Sequence, residues 1–346
     1  MINLKNKEGI VLLLVSIIII FFLFIVNSPQ DFKLDTSISD YSKLESTFEK
    51  RMEDVGGKKL FEEIIFFAEL LDPSIKHLYG HIFGKVLYEK EGLGSFLICD
   101  SRLQQGCIHE FIGNAIVDLG IESVTILNDT CLGLQGRQEV QACQHGIGHG
   151  LVSHFGYSES DLLRALSVCR TLPTHDSGQM FGCYGGVFME HNVKTMLAEE
   201  TDIRHSEDLF EPCRSLDDVY KSACSFWQPQ WWRQEHLSHL DPLSAYARMG
   251  SYCSDLSKEP HLINVCFLGM GNLLPIDANL DSALAVRMCD AGSDVFDYRM
   301  SCRKRAGRDF SEERHTSKLE LVCAEMSDTD YRRCVSWLEG SVNDAN

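Results

Sequence analysis

Five of the chain's 13 histidines fall into a pattern suited to metal ligation. His77 and His81 are four residues apart, as are His145 and His149, and side chains at that spacing share one face of a helix. His109 lies between the two pairs. Imidazole is the commonest protein ligand for zinc and copper and also serves iron; three such nitrogens with an open fourth position make a catalytic divalent site. A transition metal (zinc, copper or iron) is the expected cofactor, held by His77, His81, His109, His145 and His149, with His191 as a subsidiary ligand. Glu110 and Glu190 are the nearby carboxylates that would accept a proton in a metal-dependent enzyme. Sharper labels fail. His77-Leu-Tyr-Gly-His81 and His145-Gly-Ile-Gly-His149 lack the glutamate that follows the first histidine in HExxH metalloproteases, and there is no CxxCH haem-attachment motif.

What would bring these side chains together is set by the cysteines. Fourteen of them alternate between short gaps and gaps of 20 to 29 residues. The short gaps define Cys99/Cys107, Cys131/Cys143, Cys169/Cys183, Cys213/Cys224, Cys253/Cys266, Cys289/Cys302 and Cys323/Cys334. An even count in regular alternation reads as a repeated unit carrying one disulfide. Helical periodicity precedes the first cysteine of several pairs, as in Leu162, Leu163, Leu166 and Cys169. Start signals precede those helices at Ser158, Asp241 and Asp277. Gly146, Gly186 and Gly269 each sit three residues beyond a second cysteine. Glycine in a helix costs about 1 kcal/mol relative to alanine, so its repetition suits helices that approach closely.

The unit is then helix A, a turn with the short cysteine gap, and helix B. The fold class expected is all-α: an α-solenoid of about eight helical hairpins, seven of them with a disulfide. Loop lengths favour bridges within a hairpin; a second cysteine bonding forward into the next unit is the alternative. A disulfide-free hairpin precedes the others, with helices over 58–71 and 74–90. Aligning Ile75 with the later second cysteines places His77, His109 and His145 at equivalent positions, and likewise His81 and His149. If successive hairpins keep phase, five imidazoles converge.

The short Cys99–Cys107 spacing and the helix end Ala283–Cys289 resemble cysteine-rich, exported Sel1-like helical repeats, over roughly residues 58 to 340. Six of the seven gaps are longer than that family uses, and its alanine–glycine pattern is missing. The resemblance implies an α-solenoid and a binding role, and it transfers no functional residue.

The N-terminus fixes the expected compartment. Ile10 to Val26 is apolar except for Ser16, at the short end of what spans a bilayer core of ~30 Å. Lys5 and Lys7 favour a cytoplasmic N-terminus. The expected organisation is a cytoplasmic tail over 1–9, a transmembrane signal anchor over 10–26, a linker with a short amphipathic helix over 27–57, and an extracytoplasmic repeat domain over 58–346. Cysteines there would be oxidised. A net charge of −18 without a basic, aromatic-interleaved stretch argues against nucleic acid.

Three further features invite a partner. Phe226, Trp227, Trp231 and Trp232 are placed to form an aromatic wall for a ligand, with Pro229 weighing against a regular helix between Trp227 and Trp231. Arg299, Arg303, Lys304, Arg305, Arg308, Arg332 and Arg333 cluster near the C-terminus, beside acids such as Asp309, Glu312 and Glu313. Asn128-Asp129-Thr130 is a glycosylation sequon. The alternative to a metal enzyme is a non-catalytic solenoid that holds a protein or peptide on its concave face, its histidines structural or pH-responsive.

Overall fold

The computed structural model describes residues 41–68, 71, 73–174, 180–193, 208–314, 322–324, 326 and 328–343. The expected transmembrane segment and its flanks lie outside these residues; no helix among the described residues is long and apolar enough to cross a membrane. Every regular element described is helical.

Helix α1 (Tyr41–Val55) buries Leu44, Phe48 and Met52 against the body of the protein, so this part of the expected linker is built into the core. The first hairpin is α2 (Gly57–Ala68) and α3 (Pro73–Glu91). The second replaces helix A with two short 3-10 segments, Leu93–Ile98 and Ser101–Leu103, followed by α4 (Gly106–Leu119). Then come α5 (Ser123–Leu132) with α6 (Arg137–Phe155), and α7 (Glu159–Thr171) with α8 (Cys183–Val193). A stretch of turns before residue 217 stands in for helix A ahead of α9 (Asp218–Trp231). The last units are α10 (Pro242–Leu256) with α11 (Pro260–Asp277), α12 (Ser282–Gly292) with α13 (Phe296–Arg314), and α14 (Asp328–Asn343).

Two of the expected starts hold: the side chains of Ser158 and Asp241 accept from the backbone N–H of Asp161 and Ser244. The third is corrected. Asp281, not Asp277, caps α12, because Asp277 is drawn to the Arg233 guanidinium (3.1 Å) and the Tyr246 hydroxyl (3.2 Å) at the end of α11. Pro229 does not break α9. Its ring sits in the last turn, and the chain continues into a π-turn over Trp232–His236.

All seven bridges close within a hairpin: Cys99–Cys107, Cys131–Cys143, Cys169–Cys183, Cys213–Cys224, Cys253–Cys266, Cys289–Cys302 and Cys323–Cys334. Each B helix packs against the next, α3 on α4, α4 on α6, α6 on α8, α8 on α9, α9 on α11 and α11 on α13. One apolar core runs from Leu44 to Ala306, and a smaller separate one, around Phe296, Met300 and Val322, serves the last hairpin.

Glycine makes this row possible. A methyl group on Gly186 would overlap the carbonyl oxygen of His145, and one on Gly269 the carbonyl of Phe226. Neighbouring backbones are therefore in direct contact at the two positions. Gly186→Ala replaces a poor helix former with the best one, yet it should lower the melting temperature. Overpacking against backbone costs about 1–3 kcal/mol, against a propensity gain of about 1 kcal/mol at most. A raised melting temperature would show that α6 and α8 stand further apart.

Candidate metal centre

Helices α3, α4 and α6 are consecutive in the row, and the expected register holds between them. Gly146 lies beside the carbonyl of Ile108 and Gly150 beside Gly113, so α4 and α6 run parallel at close range. Their histidines consequently form a column. Ring centroids are 4.5 Å apart for His77–His81, 5.7 Å for His77–His109, 5.1 Å for His109–His145, and 4.8 Å for both His109–His149 and His145–His149. His81, His109, His145 and His149 are buried, and His77 is half-buried at the end nearest solvent. The ligand nitrogens fall into two groups, His77/His81/His109 and His109/His145/His149, each within 4.8 Å of one another. These triads could hold a metal ion.

Hydrogen bonds fix how the outer rings face. His77 Nδ1 lies 2.7 Å from the carbonyl oxygen of Gln104, which can only accept, so Nδ1 carries the proton and Nε2 the lone pair. His81 Nδ1 lies 2.8 Å from Glu110 Oε2 and donates to it, which turns Nε2 toward His77. Those two Nε2 atoms are 2.9 Å apart. Burial and the neighbouring His81 push the His77 pKa down to about 3, so His77 Nε2 carries a lone pair there. That lone pair can accept a proton held by His81 or, where His81 is neutral too, share a cation with it. Nitrogens bound at ~2.0–2.1 Å to one ion, at roughly a right angle, have this separation.

The second triad is oriented alike. His149 Nδ1 donates to Glu190 Oε2 at 2.9 Å, and the Tyr157 hydroxyl donates to Glu190 Oε1 at 2.6 Å. Asn114 Nδ2 donates to Glu110 Oε1 at 3.0 Å in the matching place of the first triad. His145 packs against Trp227, whose ring lies 5.3 Å away. Desolvation, then the surrounding imidazoles, hold His109 and His145 well below the usual histidine range. The rings are therefore neutral, the form that binds metal. In His109 both ring nitrogens are buried and neither has a hydrogen-bond partner.

Glu110 and Glu190 are thus placed on the outer edges of ligand histidines, the position from which a carboxylate orients a metal-binding ring. His191 is buried on α8 beside Glu190 and belongs to neither triad. Phe226, Trp227, Trp231 and Trp232 are all buried, with the Trp227 and Trp232 indoles donating to the carbonyls of Met180 and Leu209. They make core, not an exposed wall. Asn128 is buried too, donating to the Pro173 carbonyl and accepting from Gln144, so the sequon is closed to a glycan in the folded chain. The arginines disperse: Arg303 is buried on Asp290, Arg305 reaches Asn272, and Arg333 reaches Asp297. The side chains of Arg308, Asp309, Glu312 and Glu313 lie outside the description.

Gln104, Asn114 and Tyr157 escaped sequence reasoning. Gln104 and Gln105 both adopt left-handed backbone (φ 51° and 65°), which turns the Gln104 carbonyl toward His77. No residue-type signal marks that conformation. Comparison with family models, with curated proteins and with solved structures finds no match to this chain.

Proposed function

We propose that this chain is a membrane-anchored α-solenoid protein, outside the cytoplasm, that binds transition metal through His77, His81, His109, His145 and His149. The observation that carries this is the 2.9 Å approach of the His77 and His81 Nε2 atoms within a cluster of five imidazoles that forms two metal-sized triads. An all-nitrogen donor set suits zinc, copper or iron. Glu110 and Glu190 act by orienting His81 and His149 and by offsetting the charge of bound metal. Three imidazoles per triad leave a further coordination position, which is what a metal-dependent enzyme requires, and His77 is the ligand through which a small reactant or an incoming ion reaches it. Seven disulfides with no free cysteine support an oxidising location. The apolar run Ile10 to Val26 supports a membrane anchor.

A second reading is a non-catalytic scaffold for a protein or peptide. Its support is that Gln104, Glu110 and Glu190 already satisfy one nitrogen on each of three rings without metal. Metal analysis of the purified full-length chain separates the two. Stoichiometric transition metal, lost on His145→Ala/His149→Ala with the melting curve still cooperative, is the expected result. A folded chain that stays metal-free after incubation with zinc, copper and iron would leave only the scaffold.

A further inference from the structure

We infer that the histidine column holds two metal ions, joined through the ring of His109. The inference rests on the metal-binding reading above and adds to it a count, a bridge and a ligand class.

The ligand nitrogens form two groups, not one, and His109 is the member they share. Three of the four outer histidines have one nitrogen committed to protein: His77 gives its Nδ1–H to Gln104, His81 to Glu110 and His149 to Glu190. Each turns its other nitrogen to the column. His109 has both of its nitrogens buried and neither one hydrogen-bonded, with the side chain 4 % exposed. A buried polar atom left in that state costs about 1–3 kcal/mol.

One ion per triad uses a nitrogen of every ring and both of His109. The first takes His77 Nε2, His81 Nε2 and one nitrogen of His109; the second takes the other nitrogen of His109, His145 and His149. A single ion satisfies one group and strands the rings of the other, along with one side of His109. The acids repeat the division, because Glu110 bonds a ligand of the first triad and Glu190 a ligand of the second. Each dication thus has one buried carboxylate behind one of its ligands. No oxidation state changes on assembly. The His109 lone pair binds one ion, its N–H proton leaves to solvent, and the nitrogen pair so exposed binds the second. The ligand class is divalent d-block ions that favour imidazole, copper(II) and zinc(II) foremost. All cysteines are bridged, so no thiol competes for added copper or reduces it.

The test uses the full-length chain, stripped with chelator and then titrated with copper(II). Metal is counted after dialysis and spin is integrated by electron paramagnetic resonance. The expected result is two coppers per chain whose signal accounts for only a small minority of the metal, because an imidazolate bridge couples the spins. His109→Ala should return the signal to the full amount of whatever copper remains bound. Should that variant fail to fold, the wild-type count and its integrated spin still decide. One copper with full signal overturns the second ion while leaving metal binding intact. Two coppers with full signal overturn the bridge. No retained copper removes the metal-binding reading as well.

Discussion

In chelator, the chain should lose stability steeply as the pH falls from about 6.5 to 5, the range that begins at the ordinary histidine pKa. His77, His109 and His145 have folded pKa values held below that value by burial and by one another. The unfolded chain therefore binds more protons than the folded one throughout the window. Stability rises with pH there and is lost as pH falls, by about 1.4 kcal/mol per pH unit for each histidine, together as much as about 4 kcal/mol per unit. For His77 the loss levels off near its folded value of about 3. Urea midpoints in chelator at half-unit pH steps provide the measurement, with His109→Leu expected to flatten the dependence by about a third. A midpoint that does not move between pH 6.5 and 5 would mean the rings take up protons while folded, and the case for neutral, metal-ready imidazoles would fail.

The second large effect is expected at the other end of the chain. Arg303 is 3 % exposed, yet its guanidinium donates to both oxygens of Asp290 and to the carbonyls of Val322 (3.3 Å) and Ala324 (2.9 Å). It ties α12, α13 and the start of the final hairpin at one point. Arg303→Met leaves two carbonyls without donors and Asp290 with Arg299 alone, at 4.0 Å, a change that costs about 1–3 kcal/mol for each buried group stranded. Lysine should not rescue it, since one ammonium cannot reproduce the planar fork of five N–H groups. The small core around Phe296, Met300 and Val322 is separate from the main one, so the damage should stay local. Hydrogen exchange over 322–343 should accelerate strongly while α3, α4 and α6 keep their protection and the metal content is unchanged. Uniform acceleration along the chain would show that the hairpins unfold as one unit.

How much of this could be read from sequence depends on whether one element carried the signal. The histidine column was legible because i,i+4 spacing and the cysteine frame each fix a register, and both survive as contacts between α3, α4 and α6. Their acid partners were legible as residues but not as roles. Glu110 lies three positions after its cysteine and Glu190 seven, so no common frame position marks them, and their hydrogen bonds form between helices. The same limit applies to Gln104, whose carbonyl matters through backbone conformation, not side-chain type. The Phe226–Trp232 segment pointed toward a ligand because its aromatics depart from the glycine pattern. In the fold, the turns before α9 and the residues leading into α8 cover them, a consequence of packing that no local pattern encodes. Asp277 is an acid shortly before a helix start, as a cap would be; its guanidinium partner lies 44 residues away.

The bridges carry a consequence for how such a chain can change length. The widest spans 14 residues and none connects one hairpin to its neighbour. Covalently the molecule is a string of small rings, not a net. A whole unit can therefore be excised or duplicated by cutting in the long gaps, and every remaining thiol keeps its own mate. Insertion or loss of a module is a small step for this architecture, whereas moving a single cysteine is not.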